Sequence, residues 1–229
     1  ANSNPGMAGD DSEDAPQELD HNAQNGHDDI PRLRWNDPRL RPWLVAGLLG
    51  GHAQAATLGI IGFFILDRLG LREDPAVGAG PIGLVLMAGA IATLLAQWGL
   101  IPMLRLGPRA STMWGMALAA IGTIAFSLAH DLHAIALGFA IASLGFGLYR
   151  PGFTAGASLA VNRREQGQVG GMVASVNGAA YIVAPAIGVW LYGHHPIVGF
   201  AAICGLCAAV YLLGWRRLSP DDDLIIDRH

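Results

Sequence analysis

The stretch GFGLYRPG, residues 145–152, sets one arginine, Arg150, directly before Pro151 within a run of apolar and small residues. An unpaired guanidinium at a bilayer centre costs roughly 2.5–3.5 kcal/mol on insertion scales, so a cation here needs a physical reason. At helical spacing Ser143, Arg150, Thr154 and Ser158 share one face. Polar groups on one stripe of an apolar helix face the bundle interior or a water-filled cavity. Two readings fit. Arg150 lines a cavity, attracting an anionic substrate or pairing with a carboxylate of another helix. Alternatively it snorkels to the interface and caps carbonyls loosened by Pro151. Gly147, Pro151 and Gly152 together mark an expected kink, and breaks of this kind occur where transporter helices line midplane sites.

Further polar groups lie in neighbouring apolar runs. Asn177 and Tyr181 stand one turn apart, followed by Pro185 and Gly188. They suit either helix bridging or substrate contact. His52, Gln54 and Thr57 are the polar residues of an earlier run. Gln54 and Thr57 share one side, whereas His52 points elsewhere; with an unperturbed pKa of about 6.5 it can carry a proton or simply pack. Gln97 falls near the end of its run, where interfacial hydration accounts for it. Cys204 and Cys207 form a CxxC inside an apolar run with no second ligand pair, which fits helix packing and neither redox nor zinc chemistry. His130-Asp131-x-His133 and His194-His195 fall in polar breaks and read as interfacial histidines. No metal or cofactor is expected, and no nucleophile–base arrangement for an enzyme is present.

The elements that carry these groups follow from composition. The 229 residues are 52% hydrophobic and only 14% charged, where a soluble domain holds about 25% charged residues. Nine of the 18 carboxylates fall in the first 41 residues, and the net charge of −4 argues against a nucleic-acid partner. Every basic residue is arginine, and alanine and glycine are abundant, as in a GC-rich bacterial genome. Runs long enough to cross a hydrocarbon core predict six helices over 43–66, 81–104, 110–129, 135–158, 168–192 and 196–215. The fold class is therefore all-α, a polytopic membrane protein with the lipid bilayer as its solvent. No Asp or Glu lies within these six spans. Residues 1–41 read as a disordered acidic segment with its end docked through Arg39 and Arg41, 42–217 as the transmembrane domain, and 218–229 as a short tail. The chain opens ANSNPG, without an initiator methionine or an apolar signal core, as a piece of something longer or a processed product would.

Arg39, Arg41, Arg105, Arg109, Arg163, Arg164, Arg216 and Arg217 gather on one side, against Arg68 and Arg72 on the other. The positive-inside rule then puts both termini in the cytoplasm. Gly47-x3-Gly51, Gly152-x3-Gly156 and Gly167-x3-Gly171 have the spacing that lets helix backbones approach closely. Gly78-Ala-Gly80-Pro-Ile-Gly83 spells a dinucleotide fingerprint but lacks the strand it requires. It reads as a loop entering a helix, with Pro81 near the first turn.

Pro151, Ala155, Ser158, Glu165-Gln166-Gly167, Gly170-Gly171, Ser175 and Ala184-Pro185 resemble the tenth and eleventh helices of the major facilitator superfamily. The likeness is nearest its drug/proton antiporter branch, which includes tetracycline exporters. Arg105-Leu-Gly107-Pro-Arg109 resembles the tail of the family's cytoplasmic loop signature, with Leu104 where an acid is usual. Ala184-Pro185-x2-Gly188 resembles a weakened antiporter signature. The resemblance covers about 42–217 and implies the C-terminal half, helices seven to twelve. Residues 1–41 would then be the linker from an N-terminal six-helix half. It implies a secondary transporter of the inner membrane, working by alternating access and exporting a small molecule or drug in exchange for protons. It also implies that the helix carrying Arg150 and the helix carrying His52 and Gln54 line the central cavity; with Thr154, Asn177 and Tyr181 these residues are the candidate substrate contacts. A sugar or organic-anion importer, or a non-transporting scaffold subunit, are the alternatives.

Overall fold

Where each helix starts is dictated locally. Four of the six open with a proline in the first two positions, where the missing N–H would have had no partner anyway. The computed structural model describes residues 32–221. Of the disordered segment expected over 1–41, residues 1–31 lie outside the described residues, as does the part of the 218–229 tail beyond 221. The helices are α1 (Arg41–Arg68), α2 (Pro75–Leu104), α3 (Pro108–Leu128), α4 (Leu132–Leu159), α5 (Gln166–His194) and α6 (Pro196–Arg217). Each is long and apolar enough to cross a membrane, and no strand occurs among the described residues.

Helix starts hold one correction. α2 begins at Pro75, not Pro81, so the glycine-rich stretch from Gly78 is helical and Pro81 sits inside the helix. Asp131 is the N-cap of α4, accepting from the amides of His133 and Ala134 at 3.0 Å each. α2 also contains a six-residue π-helical stretch, Leu95–Leu100, that no pattern in the sequence announced. Pro102 follows it, and the wider turn relieves the clash of the proline ring with the preceding carbonyl. α2 ends at Arg105, whose φ of 48° is left-handed. By contrast α4 and α5 stay helical through Pro151 and Pro185.

α2, α4, α1 and α5 pack side by side in that order, with α3 and α6 behind them. Missing side chains make these contacts. Gly115 and Gly122 on α3, and Gly138, Gly145 and Gly152 on α4, recur every seven residues and form one stripe per helix. A Cβ on Gly115 would lie 2.6 Å from the Gly145 carbonyl oxygen, and one on Gly138 would lie 2.5 Å from the Phe126 amide nitrogen. These backbones touch directly. On α1, Gly47 and Gly50 form a notch filled by the stacked rings of Phe153 and Tyr149, whose centroids are 5.2 Å apart. The Tyr149 hydroxyl donates to the carbonyls of Gly47 (2.8 Å) and Ala46 (3.2 Å). In return Trp43 covers Gly156. Of the three expected glycine pairs, Gly167 and Gly171 meet nothing within 4 Å; their spacing does not mark a packing seam among the described residues.

At the opposite end Phe64, Phe126, Phe139, Tyr192 and Phe200 interlock edge to face, with centroids 5.2–6.1 Å apart. Each such pair adds about 0.5–1.5 kcal/mol beyond burial, and together they join α1, α3, α4, α5 and α6. Gly50→Ala drives a methyl into the Tyr149 ring and should cost about 1–3 kcal/mol, lowering the detergent melting temperature by several degrees. Gly178→Ala meets open space and should leave melting unchanged or slightly raised; equal effects at both positions would overturn this packing account.

Candidate functional site

Tyr149 fixes α4 against α1, and the next residue is thereby aimed. Arg150 lies nine residues before the end of α4, about 14 Å of helix rise. Its side chain is exposed on the open side of the bundle, and the guanidinium carbon sits 5.8 Å from the Tyr181 ring centroid on α5. This is cation–π geometry, and it offsets part of the cost of holding the charge at this depth. No carboxylate pairs with Arg150 among the described residues.

Around this contact lie further polar groups with no hydrogen bond among the described residues. Asn177 is one turn before Tyr181, and its Oδ1 would lie 4.0 Å from a Cβ on Gly51. Gln54 follows Gly51 on α1 by one turn and is half-buried; Thr154 follows Arg150 by one turn and is exposed. Gly51 also admits Ala180 of α5, whose methyl carbon would lie 3.1 Å from a Cβ at that glycine. The thin wall of α1 glycines therefore lets α4 and α5 present Arg150, Asn177 and Tyr181 on one open face.

Other expected residues are elsewhere. His52 is separated from the Arg150 group: it lines a small recess with Ala184, Gly188, Leu191, Ile203 and Leu206 of α5 and α6. Its Nδ1 is 2.7 Å from the Leu48 carbonyl of its own helix. Helical geometry decides this, since two residues from Gln54 is about 200° of rotation. Ser143, expected on the cavity stripe, is buried against Gly89 of α2, and its carbonyl accepts from Thr93 Oγ1 at 3.2 Å. Gly147 packs on Thr93 and Ala96 of α2, Gly152 on Ser111 and Thr112 of α3, Pro185 on Gly59, and Gly188 on Ala56. These are packing positions. Tyr149, which seats the whole arrangement, was not singled out in the sequence; its only signal is adjacency to Arg150.

The loop residues cluster at one end. Arg109 Nε and Nη2 donate to the carbonyls of Gly214 and Trp215 at 3.1 and 3.2 Å, capping the end of α6. The amides of Arg109 and Ala110 donate to Asp221 at 2.8 and 3.1 Å, and Gly107 leaves room for that carboxylate. Arg105 is exposed. Glu165 accepts from the Asn162 amide at 3.0 Å and pairs with Arg39 at 3.4 Å. Gln166 Nε2 donates to the Ser158 carbonyl at 3.3 Å, and Gly167 is exposed. At the other end Tyr192 donates to Asp67 at 2.8 Å, and Asp67 also pairs with Arg72 at 2.6 Å. Among the described residues no group of three His, Cys, Asp or Glu side chains could hold a metal.

The profile of the Major Facilitator Superfamily matches residues 82–225, more than half of the chain. The chain belongs to this superfamily. Superfamily members are transporters, not enzymes. Its fold is likewise similar to solved transporters. The in meso crystal structure of the POT family transporter PepTSo aligns with TM-score 0.69 at 13% identity, covering 80% of this chain and 39% of that one. A mutant of peptide transporter POT in complex with alafosfalin gives 0.64 at 15%, covering 84% and 42%. One in complex with sulfate gives 0.62 at 16%, covering 81% and 39%. At such identities the likeness concerns the fold alone. This superfamily member spans about two-fifths of the length of those solved structures. No curated protein matches the sequence.

Two outcomes test this geometry. In a double-mutant cycle on melting, Arg150→Gln and Tyr181→Leu should couple by about 0.5–1 kcal/mol, while Tyr181→Phe keeps the ring and the coupling; strict additivity would refute the contact. The second concerns Asp37, whose carboxyl the Arg39 guanidinium, 2.9 Å away, holds below its usual range. Its folded-state value is the lower one, so the stabilisation is present above the ordinary carboxylate pKa of about 3.9 and is lost as pH falls through the lowered value. Asp37→Asn should therefore melt below wild type at pH 7 and converge with it in acid; a gap that persists unchanged would overturn the assignment.

Proposed function

We propose that this chain forms the C-terminal six-helix half of a secondary transporter, and that a second six-helix half closes over the open face of α1, α4 and α5. The observation that carries this reading is the Arg150–Tyr181 pair with Gln54, Thr154 and Asn177 beside it. Among the described residues these polar groups have no hydrogen-bonding protein partner, and they share one open face, as a solute path between rocking halves requires. The arginine-rich end then faces the cytoplasm, in a bacterial inner membrane. The likeness of Ala184-Pro185-x2-Gly188 to the antiporter signature supports export of a small molecule or drug in exchange for protons. No acidic side chain lies near the middle of the described helices; Asp67 is in the last turn of α1. The coupling carboxylate is accordingly assigned to the other half.

A second reading rests on the same cation. Arg150 has no carboxylate to neutralise it among the described residues, which favours an organic anion as the solute. Membrane vesicles with an acidified lumen and a pH-sensitive dye separate the two. Drug cations should collapse the pH difference under the export reading, whereas counterflow of labelled organic anions should appear under the second. In either case Arg150→Gln should cut the response at least about tenfold, as loss of a charge-assisted contact worth about 1.5–3 kcal/mol predicts, with membrane insertion intact. Undiminished transport in that variant would remove Arg150 from the site.

A further inference from the structure

We infer that a groove between α1 and α5, at the arginine-rich end, holds one anionic phospholipid, with an acyl chain along its wall and the phosphate on Arg41. The groove has a volume of about 470 Å³ and is lined by Trp35, Arg41, Leu44, Leu48, Val176 and Ala179. It is distinct from the candidate solute face, because Ala179 lies about 200° around α5 from Asn177.

Its charge is uncompensated. Arg41 is exposed and makes no side-chain hydrogen bond or ion pair among the described residues. The two nearby carboxylates are already engaged, since Asp37 and Glu165 both bind Arg39, at 2.9 and 3.4 Å. Behind Arg41 the wall is aliphatic for two turns of α1. An apolar channel with a single cation at its mouth matches an amphiphile with one anionic head, and basic recesses between helices on the cytoplasmic side bind such heads.

The mouth is also built, not incidental. The Leu33 amide donates to Gln168 Oε1 at 2.8 Å, and Arg39 reaches Glu165. These two ties hold the turn between them across the start of α5, and that turn brings the Trp35 indole to the groove. Trp35 is 56% exposed, and a tryptophan with one wet and one apolar side belongs at headgroup level. The groove, its cation and its aromatic edge thus sit at one depth.

The test uses the whole chain in phosphatidylcholine vesicles carrying either brominated phosphatidylglycerol or brominated phosphatidylcholine. Quenching of the Trp35 component is obtained by difference from Trp35→Phe. Brominated phosphatidylglycerol should quench it at roughly fivefold lower mole fraction, the worth of one arginine near an anionic surface. Arg41→Gln should equalise the two lipids, and Ala179→Phe, which fills the groove from α5 without adding an indole, should abolish the preference with Arg41 present. Equal quenching in wild type, or a preference that survives both variants, overturns the assignment. So does loss of the preference on adding inorganic phosphate, which would make this a site for a free anion.

Discussion

Helices in a bilayer gain nothing from hiding apolar surface from water, because the lipid is as apolar as their side chains. Association must come from close contact, and in this protein close contact is made by leaving side chains out. The seven-residue glycine stripes on α3 and α4 bring two backbones together, with the Gly115 position against the Gly145 carbonyl. The Gly47–Gly50 notch does the same for α1, with aromatic rings from α4 as the filling. Everything on the open face depends on these seams. Were α4 displaced from α1 by one methyl group, Tyr149 would lose its two carbonyls and Arg150 its aim at Tyr181.

That dependence gives the polar face its character. Tyr149 is fully packed and its hydroxyl satisfied, whereas its neighbour Arg150 is exposed and, among the described residues, held by a ring alone. One residue of sequence separates a structural anchor from a group kept available. The aromatic cluster at the far end, from Phe64 to Phe200, works as the counterweight. It joins five helices by directional contacts, and it adjoins the glycine stripe of α4 where Gly138 meets Phe126. The bundle is thus tight at both ends, and Arg150, Asn177 and Tyr181 share one open side.

Short electrostatic ties finish the arginine-rich end. Arg109 and Asp221 join the start of α3 to the end of α6 through backbone groups that helix termini leave unpaired. Arg39, Asp37 and Glu165 seat the segment before α1 on the loop before α5. Exposed ion pairs of this kind contribute about 0–1 kcal/mol each, so their consequence is placement more than stability. They decide where Trp35 and Arg41 sit.

Composition and run length determined a good deal without coordinates. Six apolar stretches of spanning length can bury their backbone polar groups only as helices, and all six form, five of them within three residues of their expected bounds and α2 starting six residues early. Superfamily membership was legible in the loop and helix motifs around Arg105, Glu165 and Pro185. What the chain alone did not decide was which face of each helix meets which neighbour. A span that is apolar all round carries no stripe to read, so His52 and Gln54 pointed to different sides of α1 with nothing to say which side meets the solute path until α5 and α6 closed on one of them. The same ambiguity made Gly167 and Gly171 resemble a seam, hid Tyr149, and placed Ser143 in the cavity instead of against α2. The π-helical stretch before Pro102 was silent for a related reason, since a proline near a helix end reads the same whether the ladder widens or stops. Local chemistry determines that a helix forms and where it begins. Only the packed bundle, through contacts between residues about a hundred positions apart such as Gly47 and Tyr149, decides which of its side chains are structure and which are left to act.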